Sequence, residues 1–226
     1  MVYDFHSHTF LSDGVLSPIE LIRRAIVNQY TALGISDHSG AGTLERVIAE
    51  VARDCQLARE RWQFLALSGI ELTHVPASSI SDLARQAKEA GAAFVVVHGE
   101  TPVEPVEPGT NLAAVSCPKV DVLAHPGLLT AEEAELAADN GVFIELTAKD
   151  GHSLGNGRVA QICLAAGAKM IVNSDTHVPN HLLTEEFARR VALCAGLPEE
   201  MLTEVLVENP QALLARTGAQ LEVGEA

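Results

Sequence analysis

The chain has 226 residues, with 15 lysines and arginines against 30 aspartates and glutamates, a formal charge of −15. A hydrophobic fraction of 47% is enough for a full core and excludes a disordered chain. The length suits one domain over residues 1–226 better than two small ones. The acidic balance, with one Trp, two Tyr and six Phe, argues against phosphate-backbone, base-stacking and anionic-membrane partners. No apolar run approaches the ~18 residues of a membrane helix. The start, Met1-Val2-Tyr3-Asp4-Phe5-His6, lacks the basic and apolar regions of a signal peptide, so a cytoplasmic location is expected. Cys55, Cys117, Cys163 and Cys194 form no Cys-x-x-Cys pair and read as reduced thiols.

Short apolar runs alternate with helical segments along the chain. Val2–Phe5 predicts a first strand. Ser17 as N-cap and Pro18 in the first turn predict a helix to Tyr30, with Ile19, Ile22, Ile26 and Val27 on one face. A second strand over Ala32–Ser36 and a helix from Thr43 to Trp62 follow. Phe64–Ile70 is a third strand, and Ser81–Ala90 a helix stopped by Gly91. Ala92–Val97, the most apolar run, predicts a fourth strand buried on both faces. Residues 102–118, with Pro102, Pro105, Pro108 and Pro118, read as a loop. Then come strands over Val120–Ala124, Val142–Leu146 and Lys169–Asn173, separated by helices over Glu132–Asn140 and Asn156–Ala166. Helices over Thr184–Ala195, Pro198–Val207 and Pro210–Thr217 finish the chain, and the tail from Gly218 reads as frayed. Seven strands alternating with helices predict parallel pairing and right-handed crossovers. No Gly-x-Gly-x-x-Gly follows the first strand, so the dinucleotide-binding open sheet lacks its signature.

Chemistry-bearing residues fall at the ends of these strands. His6 and His8 follow the first, with Asp13 in the loop beyond; Asp37 and His38 follow the second; Glu71 the third; His98 the fourth; His125 the fifth; Asp175 and His177 the seventh. In a parallel barrel those carboxyl ends open on one face, where active sites are built. A single His-x-His carries little weight alone; the joint placement carries the argument. Imidazole and carboxylate without thiolate suit Zn²⁺, Mn²⁺ or Fe²⁺. A catalytic zinc takes about three protein ligands, so nine candidates call for two to three divalent ions.

These residues resemble the polymerase and histidinol phosphatase (PHP) family. The matching motifs are Asp4-Phe5-His6-Ser7-His8-Thr9 with Ser12-Asp13-Gly14, Ile35-Ser36-Asp37-His38, Gly69-Ile70-Glu71, Val97-His98, Ala124-His125-Pro126 and Ser174-Asp175-Thr176-His177. The resemblance implies a distorted (β/α)7 TIM-like barrel with its active site at the carboxyl ends of the strands. It implies a first ion on His6, His8, Glu71 and Asp175, a second on Asp13, His38 and His177, and a third on Glu71, His98 and His125. Three divalent ions outweigh the carboxylates of Asp13, Glu71 and Asp175, leaving a positive hole suited to a phosphate dianion. A hydroxide shared by the ions near Glu71, Asp175 and His177 then attacks phosphorus.

Further along, Asn156-Gly157-Arg158 resembles the family's Asn-x-Arg segment, so Arg158 is a candidate phosphate grip beside a helix N-terminus. Arg158 reads equally as a solvated loop arginine, and Lys149 and His152 from the same loop are weaker candidate phosphate contacts, a solvated Lys being the usual case. Asp37, His74 and His181 are candidate supporting residues around the ligands, His74 also as an acid for the leaving group. The expected activity is metal-dependent hydrolysis of a small-molecule phosphate ester, such as histidinol phosphate or a related mono- or diester. A nuclease module is the competing enzyme reading. A catalytically silent metal-binding regulatory domain is disfavoured by the complete ligand set. C–N hydrolysis on a related barrel often uses a carboxylated Lys at a strand end, and only Lys149 stands near one.

Overall fold

Ser17 starts the first helix as its sequence predicts: its side chain accepts from the Glu20 amide, and Pro18 occupies the first turn. The computed structural model describes residues 1–219. Among the described residues there are nine strand segments: β1 Val2–Asp4, β2 Tyr30–Ile35, β3 His38–Ser39, β4 Leu65–Ser68, β5 Ile70–Leu72, β6 Val95–His98, β7 Val122–Ala124, β8 Phe143–Thr147 and β9 Met170–Asn173. The eight helices are α1 Pro18–Val27, α2 Leu44–Trp62, α3 Ile80–Glu89, α4 Thr110–Val115, α5 Ala131–Asn140, α6 Asn156–Ala166, α7 Glu185–Cys194 and α8 Asn209–Thr217. The strands form two sheets, ordered β1-β2-β4 and β3-β5-β6-β7-β8-β9, and every pair is parallel.

The predicted second and third strands are each interrupted. β2 resumes as β3 after Ser36-Asp37, and β4 resumes as β5 after Gly69. Gly69, at the second break, and Gly34, within β2, both leave room for the Phe94 ring. A Cβ on Gly69 would stand 2.3 Å from Phe94 Cζ, and one on Gly34 would stand 2.5 Å from it. Phe94 packs edge-on against Phe5 with ring centroids 5.8 Å apart. His38 and Glu71 therefore lie within short strands beyond the break, not in loops after them, and they are register partners.

Alternation then decides which residues face which side. Val95, Val97, Ile144, Met170 and Val172 pack with the helices. Val96, Phe143 and Ile171 join Tyr3, Phe5, Ala32, Leu65, Leu67, Val122 and Ala124 in a second cluster on the opposite face of the strands. Two residues further along each strand, the same face carries His98, Glu145 and Asn173, all buried. A polar layer thus caps an apolar one at the carboxyl ends of the strands. β9 and β1 meet beyond their ends at an isolated parallel bridge between Ser7 and Thr176. There the His8 amide donates to Thr176 O at 2.8 Å, and the Phe5 amide donates to Asn173 Oδ1 at 2.9 Å.

The loop expected over residues 102–118 contains α4. Its start is capped from outside the segment, by Glu100 Oε1 accepting from the amides of Gly109 and Asn111. The helix expected over Pro198–Val207 is a 3-10 turn, Glu199–Met201, followed by a π-helical turn, Glu204–Glu208. Pro210 has no amide to donate, so regular helical bonding is broken where that turn meets α8. Gly218 closes α8 in the left-handed region; most of the tail expected to fray, from residue 220 on, lies outside the described residues. Among the described residues no helix is long and apolar enough to cross a membrane.

Candidate metal centre

Glu71 is the hub of the polar layer. It is fully buried. Its Oε1 lies 3.2 Å from His98 Nδ1, 3.3 Å from His6 Nε2 and 3.9 Å from His125 Nε2, and its Oε2 lies 2.6 Å from His38 Nδ1 and 3.6 Å from His8 Nε2. Asp175 Oδ1 stands 3.2 Å from His8 Nε2 and 3.3 Å from His177 Nδ1. Asp13 bridges His177 Nε2 at 3.2 Å and His38 Nε2 at 3.5 Å. All nine predicted ligands therefore meet in one cluster.

Ligand atoms within 4.8 Å of one another group His6, His8 and Asp175, the first expected set without Glu71, and Asp13, His38 and His177, the second expected set, which His8 also joins. The third expected set is divided: Glu71 groups with His6 and His125 on one side, and with His38 and His98 on the other. Buried His6 Nε2, both ring nitrogens of His8 and His125, Glu71 Oε2 and Asp175 Oδ1 have no hydrogen-bond partner. An unpartnered buried polar group costs about 1–3 kcal/mol, so a cluster of them fits a set of bound cations. The donors are imidazole and carboxylate, the chemistry of zinc, manganese or ferrous iron.

The backbone supports the gathering. Asp37 accepts from the Thr9 amide at 2.6 Å, Thr9 Oγ1 at 2.7 Å and Ser12 Oγ at 2.6 Å. It fixes the loop that carries His8 and Asp13, rather than turning His38 directly; the His38 ring meets Thr73 Oγ1 at 2.6 Å instead. Five non-glycine residues have positive φ: Gln29 and Gln63 follow helix ends, while His74, His125 and Asp175 are all at or beside the cluster. Such backbone costs of order 1–3 kcal/mol each and persists where surroundings enforce it.

Electrostatics divide the imidazoles. Burial favours the neutral ring of His6, but Glu145, Glu71 and Asp175 outweigh it and raise the group well above its usual value. His38 is raised to about 10, burial yielding to Glu71 and Asp13, and His98 to about 9, burial yielding to Glu104 and Glu71. Burial lowers His8 to about 4 and His125 well below the usual range. Burial would also raise Glu71, yet the His6 and His38 rings hold its carboxyl well below the ordinary range. Without ions, then, protons on imidazoles supply the positive charge that the carboxylates demand.

Glu145 is a residue the sequence reading passed over. Its Oε2 meets His6 Nδ1 at 2.7 Å and accepts from Asn173 Nδ2 at 2.9 Å. A donated Nδ1–H leaves the Nε2 lone pair of His6 facing the cluster. The signal was a lone acid inside the apolar run Phe143-Ile144-Glu145-Leu146. Glu104, also passed over, sits in a proline-rich loop without any such signal. Lys149 Nζ lies 2.6 Å from His177 Nδ1 and 3.9 Å from Asp175 Oδ1. His152 is buried, its ring centroid 4.4 Å from that of His125. His74 is at the exposed rim, and His181 lies in the short 3-10 turn Pro179–His181. Arg158 is not brought in: it is exposed on α6 and makes no hydrogen bond or ion pair among the described residues. The start of α6 belongs to Asn156, whose side chain pairs with both backbone groups of Thr147.

No known family profile matches the sequence. The uncharacterized protein MJ1295 of Methanocaldococcus jannaschii is 43% identical over 217 residues, covering 96% of this chain and 100% of its own. The 5'-3' exoribonuclease Rnm of Salmonella typhimurium is 32% identical over 81 residues, which is 36% of this chain and 23% of Rnm. The DNA polymerase/3'-5' exonuclease PolX of Bacillus subtilis is 26% identical over 192 residues, 77% of this chain and 34% of PolX. Among solved structures, a protein from Listeria monocytogenes assigned as a histidinol phosphatase superposes with a TM-score of 0.58 at 11% identity, covering 79% of this chain and 96% of its own. An amidohydrolase from Burkholderia ambifaria, solved with bound Zn, superposes at 0.56 with 13% identity, covering 89% of this chain and 71% of its own. These two likenesses are of fold. With two nucleases by name among the relatives, the argument from net charge against a nucleic-acid partner does not stand. Bound cations set the sign of charge at such a site whatever the total.

Proposed function

The chain belongs to the family of the Methanocaldococcus jannaschii protein MJ1295, and from that premise we propose that it is a single-domain PHP-type phosphoesterase, a distorted (β/α)7 barrel that uses divalent ions to hydrolyse a small phosphate ester. The observation that carries this is the convergence of His6, His8, His38, His98 and His125 on the one buried carboxylate of Glu71. The fold likeness to the Listeria protein and the likeness to two enzymes named for cutting phosphodiesters support the choice of a phosphate ester. In this reading His6, His8, Glu71 and Asp175 hold one ion, Asp13, His38 and His177 a second, and Glu71, His98 and His125 a third.

Divalent ions held by these residues would supply Lewis-acid polarisation of a phosphoryl group and a water of lowered pKa. The chain's own residues do the rest. Glu145 fixes the His6 ring. Asp37 holds the loop bearing His8 and Asp13. Lys149, beside His177, and His152, beside His125, offer cationic and hydrogen-bonding contacts to phosphate oxygens from the loop after β8. Arg158 is not required.

The test is a substrate screen with metals added back one at a time to chelated protein. L-histidinol phosphate, an aryl phosphate, mononucleotides, diesters and short single-stranded RNA and DNA are compared. The expected result is no hydrolysis after chelation, restoration by Zn²⁺, Mn²⁺ or Fe²⁺, and the highest kcat/KM on a small ester. Hydrolysis that survives exhaustive chelation, or none with any metal, overturns the reading. Preference for the nucleic acids establishes the nuclease reading that the Rnm and PolX likenesses favour.

A further inference from the structure

At the rim stands a second set of donors outside the nine inner ligands, save for one shared ring. His74, His98 and Glu104 bring one ligand atom each to within 4.8 Å of the others. A single oxygen, Glu104 Oε2, lies 3.0 Å from His98 Nε2 and 3.2 Å from His74 Nε2. Hydrogen bonding accounts for the His74 contact but not for the other. His98 Nε2 is buried and has no hydrogen-bond partner even with that oxygen so near. The oxygen lies at ion-pair distance from the nitrogen without meeting it in hydrogen-bond geometry. Two ligands of one tetrahedral zinc, with bonds of about 2.0–2.1 Å, stand in that relation: roughly 3.3 Å apart, each lone pair aimed at the ion and not at its neighbour.

Two independent features agree. His74 has φ of +51°, a left-handed backbone away from any helix end, which sets its ring 4.9 Å from that of His98. His74 and Glu104 are 41% and 38% exposed, so solvent has access to complete a coordination sphere. His98 presents its other nitrogen, Nδ1, to Glu71.

We infer that His74, His98 and Glu104 form a peripheral divalent-cation site of two imidazoles and one carboxylate, open to water, at the mouth of the inner cluster. The donor set suits zinc. His98 would be shared between the two groups, its Nε2 facing Glu104 and its Nδ1 facing Glu71.

Zinc alone is the probe. The full chain and the variants His74→Ala, Glu104→Gln and Asp13→Ala are stripped, dialysed to equilibrium against zinc and counted by plasma mass spectrometry, with circular dichroism to confirm folding. His74→Ala and Glu104→Gln are each expected to hold one zinc fewer than the unaltered chain. The double variant His74→Ala/Asp13→Ala is expected to hold one fewer than Asp13→Ala alone. Zinc content in His74→Ala equal to that of the unaltered chain overturns the site and leaves a hydrogen-bonded frame around His98. Loss of one zinc in His74→Ala from a chain that hydrolyses no phosphate ester supports the site and overturns only the phosphoesterase reading.

Discussion

Single residues carry the ion count expected of the proposed centre. Glu71 touches five imidazoles, whereas Asp13 touches two. Glu71→Ala is therefore expected to lose more than one ion per chain and Asp13→Ala mainly one; equal single-ion losses, read by elemental analysis, contradict the hub. Glu145→Gln keeps every ligand but weakens the acceptor that orients His6. Loss of such a partner commonly costs 10–100-fold in metal affinity, and an unchanged dissociation constant refutes the role. Acidity matters too. His38 and His98 are raised to about 10 and about 9, so near neutral pH protons occupy nitrogens that an ion needs. As pH climbs from about 6 toward 9, that competition falls and metal affinity rises, with protons released on binding; calorimetry in buffers of different ionisation enthalpy reads both. Eight of the nine candidate ligands were legible because each stands at or just beyond a strand end, and Asp13 because it lies in the loop that follows His6 and His8. Glu145 was masked by the apolar run around it. The proline-rich loop that carries Glu104 gave no sign that it folds back onto His98 and His74.

Elements set where those residues arrive. Ala92–Val97 read as a strand buried on both faces; the strand is Val95–His98, in which Val96 packs inside while Val95 and Val97 pack under helices. The break between β4 and β5 was hidden: Gly69 looks like any strand glycine until the Phe94 ring, remote in sequence, fills the space beside it. Gly69→Ala forces that ring aside, and overpacking of this kind costs about 1–3 kcal/mol. At about 2–4 °C per kcal/mol for a chain of this size, the melting temperature should fall by several degrees; an unchanged value contradicts the packing. α4 escaped notice for a similar reason, since Glu100 caps it from outside the segment.

At the scale of the whole molecule, a chain of net charge −15 gathers its imidazoles at one end of its strands, and bulk charge therefore said little about the partner. The thiols follow the two-layer core. Cys55, Cys117 and Cys163 are buried and Cys194 is exposed, with burial pushing Cys55 and Cys163 up to about 12. An aromatic disulfide reagent at mild alkaline pH should find one fast thiol in the native chain and four after denaturation. Two or more fast thiols contradict the packing.

The bridge from Ser7 to Thr176 has a consequence for biosynthesis. His6 and His8 emerge from the ribosome early, while Asp175 and His177 emerge only after most of the chain has been made. A nascent polypeptide has half a cage until its last strand docks beside its first. In the proposed centre, loading with cations would then be a late event in maturation, and ions held there would clasp β1 to β9.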